Sequence, residues 1–399
     1  MKREFIFLAF GNLVSNGLIA LTNIVLASIL TPSDYAITRV AASYTFLLLL
    51  LSHFAMYDSI CGKLRKVDSI ENIALIKTAC ATSMVLALMS LLAFSVYAKL
   101  LSNWTSLQAG QIILIVACII ILAPATILSN TLQLRADNKT FAQYQLSNGL
   151  SQFIFGTALS YLMGIAGWAL SRSLNAAVGL WVCSRKYKTE LSSVKIKPNY
   201  ILQLIKTSTF HVISGICSIF VLCGDILLLD WENTNEEIIG AYGLAATLCK
   251  ASYFIPNIMG KYQMTHLIAN DPITQHQRCT AYKKQIILIG IGAAIAIYSA
   301  VYILSILGAF KHYSNLLHYT LLCSLYTPLA FYWTAIYTTN LVRGINSGFA
   351  YQGIAAALGM LGVFFVPKPL SIELNTCISV IAGYATGIAT YLHMQAKSK

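Results

Sequence analysis

Long apolar runs broken by short polar stretches repeat from one end of the chain to the other. A hydrocarbon core of ~30 Å is crossed by ~20 residues of helix. Runs of that length recur at 7–29, 36–56, 75–97, 109–133, 142–161, 164–183, 207–229, 238–259, 285–307, 316–340, 347–366 and 371–393. The pattern predicts an all-α integral membrane protein with 12 transmembrane helices. The connections are too short to hold a folded domain outside the membrane, and none is of low complexity.

The two halves carry matched landmarks. Arg135-Ala-Asp-Asn138-Lys-Thr-Phe141-Ala142 and Arg343-Gly-Ile-Asn346-Ser-Gly-Phe349-Ala350 share the pattern R-x-x-N-x-x-F-A. Ser33-Asp34-Tyr35-Ala36-Ile37 pairs with Gly240-Ala-Tyr242-Gly243-Leu244, and Pro124 with Pro328, at nearly the same displacement of half the chain. Three coinciding shifts indicate duplication, a common plan in membrane transporters. The expected organisation is an N-terminal six-helix lobe over 1–183, a basic cytoplasmic linker over 184–206 and a C-terminal six-helix lobe over 207–399.

Composition agrees with the spans. With 57% hydrophobic and 10% charged residues and a mean hydropathy of +0.69, the apolar surface exceeds what a water-soluble core can hide. The ten cysteines lie scattered in apolar segments without CxxC spacing, which is the usage of small packing residues rather than of disulfides or zinc. Lys2 and Arg3 precede the first run as in a secretory signal, but the run is long and lacks a small-residue cleavage site, so it reads as a retained helix.

A net charge of +13 suggests nucleic acid until the placement of the charges is examined. With the N-terminus in the cytoplasm, Lys99, Lys311 and Lys368 fall outside, Arg39, Arg172 and Lys250 fall within spans, and 21 of the 27 Lys and Arg lie on cytoplasmic segments or helix ends. That asymmetry is the one that orients helices, and it predicts N-in and C-in with no nucleic-acid partner. The linker is the most basic segment, through Arg185, Lys186, Lys188, Lys195 and Lys197, and reads as a topogenic, lipid-facing stretch.

Charges inside spans are the candidate chemistry, because each costs ~2.5–3.5 kcal/mol on insertion scales and needs a partner or water. Lys250 is ~16 Å into its helix and Arg172 ~12 Å from the outer end of its own. Arg39 is about one turn below the outer surface and can reach it. Asp225, near the outer end of the neighbouring helix, either neutralises Lys250 or serves transport itself. Pro124 and Pro328 interrupt matched helices, as packing kinks or as hinges of alternating access. Asn138 and Asn346 are candidate helix caps.

Enzymatic signatures are absent: there is no GxGxxG, GxxxxGK[ST] or HExxH, and no Asp-rich external loop. A membrane glycosyltransferase or polymerase would need a larger external loop. Transport leads, with no catalytic residue, cofactor or metal expected.

Several of these stretches resemble a known family. Leu30-Thr31-Pro32-Ser33-Asp34-Tyr35-Ala36 is similar to the L-G-P-x-x-Y-G turn after the first helix of the polysaccharide flippases. These are the Wzx-type O-antigen exporters of the multidrug/oligosaccharidyl-lipid/polysaccharide (MOP) superfamily. Thr31 and Ala36 stand where that family has glycine. Asp225-Ile-Leu-Leu-Leu with Ile239-Gly240-Ala-Tyr242-Gly243-Leu244-Ala245 resembles its D-x-x-x-L and G-x-Y-x-x-A stretch, and Gln133-Leu134-Arg135 the end of its fourth helix.

The resemblance implies two lobes around a central cavity lined by helices 1, 2, 7 and 8. It also implies the substrate, a short oligosaccharide on undecaprenyl pyrophosphate flipped from the cytoplasmic to the periplasmic leaflet of a bacterial inner membrane. Membrane lipid, a polysaccharide polymerase and a chain-length regulator are the further partners it implies. In that setting Lys250, Arg172 and Arg39 become cavity cations for the pyrophosphate and Asp225 a charge partner. A drug/cation antiporter of the same superfamily is the alternative, in which Asp225 would carry the chemistry. A non-transport subunit of a glycan assembly complex is another. A major-facilitator carrier also has twelve helices, and Gly62-Lys63-Leu64-Arg65-Lys66 is loosely like its basic loop, without the acidic position.

Overall fold

The structure, a computed structural model, describes residues 2–56, 70–135, 137–256, 259–260, 272–343, 347–366 and 370–397. Gly62–Lys66, Lys368 and Asn346 lie outside the described residues. Among those described the regular structure is wholly helical: α1 Lys2–Ile29, α2 Pro32–His53, α3 Ile70–Leu100, α4 Ser106–Val116, α5 Ile119–Leu134, α6 Asn138–Ser192, α7 Asn199–Trp231, α8 Glu236–Ala251, α9 Pro272–Ile306, α10 Leu316–Arg343, α11 Ser347–Phe364 and α12 Ile372–Lys397. Helix is what hydrocarbon permits, since every backbone N–H and C=O then finds its partner within the segment.

Nine of the described helical stretches are long and apolar enough to cross a membrane, and Tyr351–Phe364 is a shorter apolar one. α6 holds two predicted spans in one 55-residue element. At Gly164 the backbone takes φ 58° and ψ −133°, outside the helical region and in a conformation glycine adopts without strain. The chain folds back there: Ser151 bonds to Asn175, and a Cβ on Gly167 would run into the Leu159 carbonyl. α10 falls short on apolarity because it buries Thr320, Ser324, Thr327, Thr338 and Asn340. The predicted helix over 109–133 is two helices, α4 and α5, with a turn at Ala117–Cys118.

The chain divides into two compact units, Met1–Val212 and Ile213–Lys399. In the first, α1 lies along the first arm of α6, with Gly11 against Ala142, Ser15 against Gly149 and Thr22 against Gly156. The paired numbers rise together, so the two helices run parallel, as the first and fifth of a series of alternating spans must. Small residues allow the backbones this approach. In the second unit α7 lies parallel to α11 in the same way, Cys217 against Gly353 and Gly224 against Met360. There α11 and α12 pack antiparallel through Gly359–Thr386 and Met360–Gly383.

Much of the segment read as a linker is helical, since α6 continues to Ser192 and α7 begins at Asn199. Lys77 Nζ donates to the carbonyls of Leu191 (2.8 Å) and Val194 (2.7 Å), and the Lys197 amide donates to Thr78 Oγ1 at 3.1 Å. Leu204 is buried in the apolar cluster of the first unit with Ile76, Leu128 and Tyr187. The cap of α6 is one residue earlier than Asn138: the Asp137 side chain accepts from the Thr140 amide at 3.2 Å.

Candidate functional site

The acid and base of the α7–α8 hairpin meet inside the second unit. A three-residue turn with Asn233 at φ 52° and an N-cap at Asn235, whose side chain accepts from Glu237 N at 2.8 Å, turns α7 into α8. Neighbouring helices so joined can bring Asp225 and Lys250 together. Lys250 Nζ donates to both Asp225 oxygens, each at 2.8 Å. Tyr326 of α10 donates to Oδ2 at 3.2 Å, and the Ile226 amide lies 2.9 Å from Oδ1.

The carboxylate is 1% exposed and the lysine side chain 21%. Around them stand buried Tyr242, Cys249, Cys323, Cys377 and Tyr384, with the Tyr326 and Tyr384 rings stacked at 6.5 Å. A buried charge pair is tolerable when the remaining lone pairs are also satisfied, and here each oxygen of Asp225 has two donors. The acid therefore offers no open oxygen to an outside cation, whereas the base keeps an accessible part.

In the first unit Arg172, on the second arm of α6, stacks over Trp168 at 5.8 Å and reaches the Cys118 thiol at the α4–α5 turn. Among the described residues no carboxylate lies within ion-pair distance of it. Arg39 sits 4.8 Å over the Tyr35 ring, with Nε 3.4 Å from Thr38 Oγ1. Arg135 pairs with Glu190 at 2.8 Å, and Asp137 with Lys186 at 3.1 Å. These bridges tie the end of α5 to the far end of α6, and Arg135 also covers the Tyr187 ring at 5.1 Å.

Each of the matched prolines lies inside a helix. Pro124 lies in α5, two turns after the break at Ala117–Cys118, while α10 continues through Pro328. Pro328 faces Gly290 of α9, where a Cβ would come within 3.0 Å of the proline Cα and of the Phe331 Cβ.

Several polar groups escaped the sequence reading. Tyr326 and the buried threonines of α10 were hidden in a run read only as a span. Ser151, Gln152 and Asn175 form a buried network inside the α6 hairpin. Asn12, Asn16 and Asn23 of α1 share a helical stripe, a periodicity visible in the sequence. Among the described residues no group of three or more His, Cys, Asp and Glu is placed to hold a metal ion.

Comparison with known proteins adds the following. The family described as "Polysaccharide biosynthesis protein" matches residues 1–260. No curated protein matches the chain. Among solved structures, the eukaryotic MATE transporter AtDTX14 superposes with a TM-score of 0.74 at 13% identity, over 99% of this chain and 95% of that one. The lipid II flippase MurJ, in an inward closed conformation, does so with a TM-score of 0.73 at 13% identity, over 97% and 87%. A MOP superfamily transporter from Pyrococcus furiosus, described as having a binding pocket of reverse polarity, gives 0.64 at 13% identity over 99% and 95%. At such identities the likeness is one of fold.

Proposed function

The chain belongs to the polysaccharide biosynthesis protein family, and from that premise we propose that it is a flippase for lipid-linked glycan. Its substrate in this reading is a short oligosaccharide on undecaprenyl pyrophosphate, moved by alternating access from the cytoplasmic to the outer leaflet of a bacterial inner membrane. In this reading the termini are cytoplasmic, and the product passes to a polysaccharide polymerase and chain-length regulator.

The observation that carries the reading is the balance of charge at membrane depth. Asp225 is saturated by Lys250, Tyr326 and a backbone amide, and Arg172 has no carboxylate partner among the described residues. The surplus is cationic. Cations in apolar spans suit a pyrophosphate, whose oxygens accept charge-assisted hydrogen bonds from lysine and arginine. A drug/cation antiporter needs the opposite, an acid with free oxygens. Lys250, Arg172 and Arg39 are the proposed anion contacts, Asp225 the group that holds Lys250 in reserve, and Pro124 and Pro328 the proposed bending points.

The test is reconstitution into liposomes carrying undecaprenyl-pyrophosphate-linked oligosaccharide with a fluorescent sugar. Its exposure to a membrane-impermeant quencher should accelerate over protein-free liposomes. A folded protein that leaves the rate unchanged overturns the proposal in favour of a non-transport subunit, and export of organic cations instead favours the antiporter.

A further inference from the structure

At ~100° per residue, α1 shows three faces. Phe10, Leu13 and Leu21 are exposed on one, the face an apolar solvent accepts. Gly11, Ser15 and Thr22 meet α6 on the second, through Ala142, Gly149 and Gly156. The third carries Asn12, Asn16 and Asn23, ~130° around the helix from the lipid-type face and ~100° from the α6 face.

An amide placed in hydrocarbon must find partners, because an unsatisfied polar group there costs several kcal/mol. The asparagines satisfy part of that demand on their own helix: Asn16 Nδ2 donates to the Asn12 carbonyl at 2.7 Å and Asn23 Nδ2 to the Ile19 carbonyl at 2.9 Å. Their Oδ1 atoms make no hydrogen bond among the described residues, and neither is a buried, unsatisfied atom. Asn16 is half-buried and Asn23 7% exposed, so both oxygens are left without a donor from the described residues on the side of the helix away from its exposed apolar face. One N–H of each amide is used on its own helix, and the oxygen and the second N–H remain for a ligand whose O–H groups both donate and accept.

We propose that Asn16 and Asn23, with Asn12 on the same stripe, form a track that accepts hydrogen bonds from the sugar hydroxyls of the translocated lipid. This rests on the flippase reading and adds to it a division of labour, with cations for the pyrophosphate and neutral amides for the glycan. The stripe from Asn12 to Asn23 is ~16 Å long, the scale of an oligosaccharide rather than of one phosphate group. A neutral acceptor tolerates different sugars as long as a hydroxyl reaches it, so the track sets preference for a glycan without demanding one sugar.

The experiment compares binding of undecaprenyl pyrophosphate carrying a trisaccharide with binding of undecaprenyl pyrophosphate alone, by microscale thermophoresis in nanodiscs. Wild type should prefer the sugar-bearing lipid. Each of Asn16→Leu and Asn23→Leu should reduce that preference by about 2- to 10-fold, the range of one net hydrogen bond, and leave the affinity for the bare lipid unchanged. Asn16→Ser, which keeps a hydroxyl acceptor, should fall between. A wild type without preference, or leucine variants that retain it or lose both affinities alike, overturns the track. Failure of the wild type to bind either lipid sinks the flippase reading itself.

Discussion

Lys250 Nζ stands 2.8 Å from each oxygen of Asp225, with the acid 1% exposed and the base 21%. The base is therefore the more exposed member of the pair, and the acid is the member that suffers when the base is removed. Lys250→Ala leaves a buried carboxylate without its counter-charge, a loss of about 3–5 kcal/mol for such sites, and its membrane abundance should fall. The double neutral variant Lys250→Gln with Asp225→Asn should recover abundance without recovering glycan export. Normal export by the double variant would mean that the pair serves packing alone.

Arg172, in the first unit, is the second proposed anion contact. Arg172→Lys keeps the charge and should keep partial export, while Arg172→Ala should lose it at equal abundance. Lysine is expected to be the weaker contact because it lacks the planar fork that grips a phosphate and stacks on Trp168. Export assays on cells with matched protein levels decide this, and full activity of the alanine variant would remove Arg172 from the site.

The parallel contact of α1 with α6 gives a stability prediction. A Cβ on Gly149 would come within 2.6 Å of the Ser15 Cα, which is backbone and cannot swing aside. Gly149→Ala should lower stability by about 1–3 kcal/mol. Gly110 in α4 has nothing within 4 Å of the same position, and Gly110→Ala should be neutral or slightly stabilising. Thermal unfolding in detergent separates the two, and equal midpoints would refute the contact.

The α6 cap should respond to acid. Burial raises the Asp137 pKa, but the hydrogen bonds from the Thr140 amide and hydroxyl and from Lys186 outweigh it and hold the carboxyl below its ordinary value. The ionised form is thus favoured in the folded state. Its stabilisation is complete above the unfolded-state value of ~3.9 and is lost as pH falls through the lower folded value. Hydrogen-exchange protection of the Thr140 and Phe141 amides should fall over that acidic range, and Asp137→Ala should lower it at neutral pH by about 1 kcal/mol. Protection in the alanine variant equal to wild type would show that the cap contributes nothing.

Orientation is read from the linker. In a cysteine-free background, Ser192→Cys should resist a membrane-impermeant maleimide added to intact cells and react once the cells are opened. Labelling from outside would reverse the proposed topology.

The spans and their all-helical character were legible because hydropathy over twenty residues is a local property, and the lipid solvent leaves the backbone almost no alternative. The break at Ala117–Cys118 was not legible: Pro124 marked the helix as irregular, but the turn lies two turns earlier, where no glycine or proline announces it. Asp137 rather than Asn138 caps α6 because the cap depends on which of two adjacent residues takes the non-helical φ/ψ, and both side chains can serve.

The sequence by itself determined which stretches are long and apolar enough to span a membrane and that Asp225 and Lys250 sit on adjoining helices. Only the tertiary structure decided that they touch, that Tyr326, 101 positions from Asp225, completes the pair, and that Arg172 stacks on Trp168 beside the α4–α5 turn rather than meeting an acid. The physical reason is rotation and neighbourhood. A span's hydropathy is unchanged when the helix turns about its axis, whereas a 2.8 Å contact exists for one rotation of two helices and one choice of third partner.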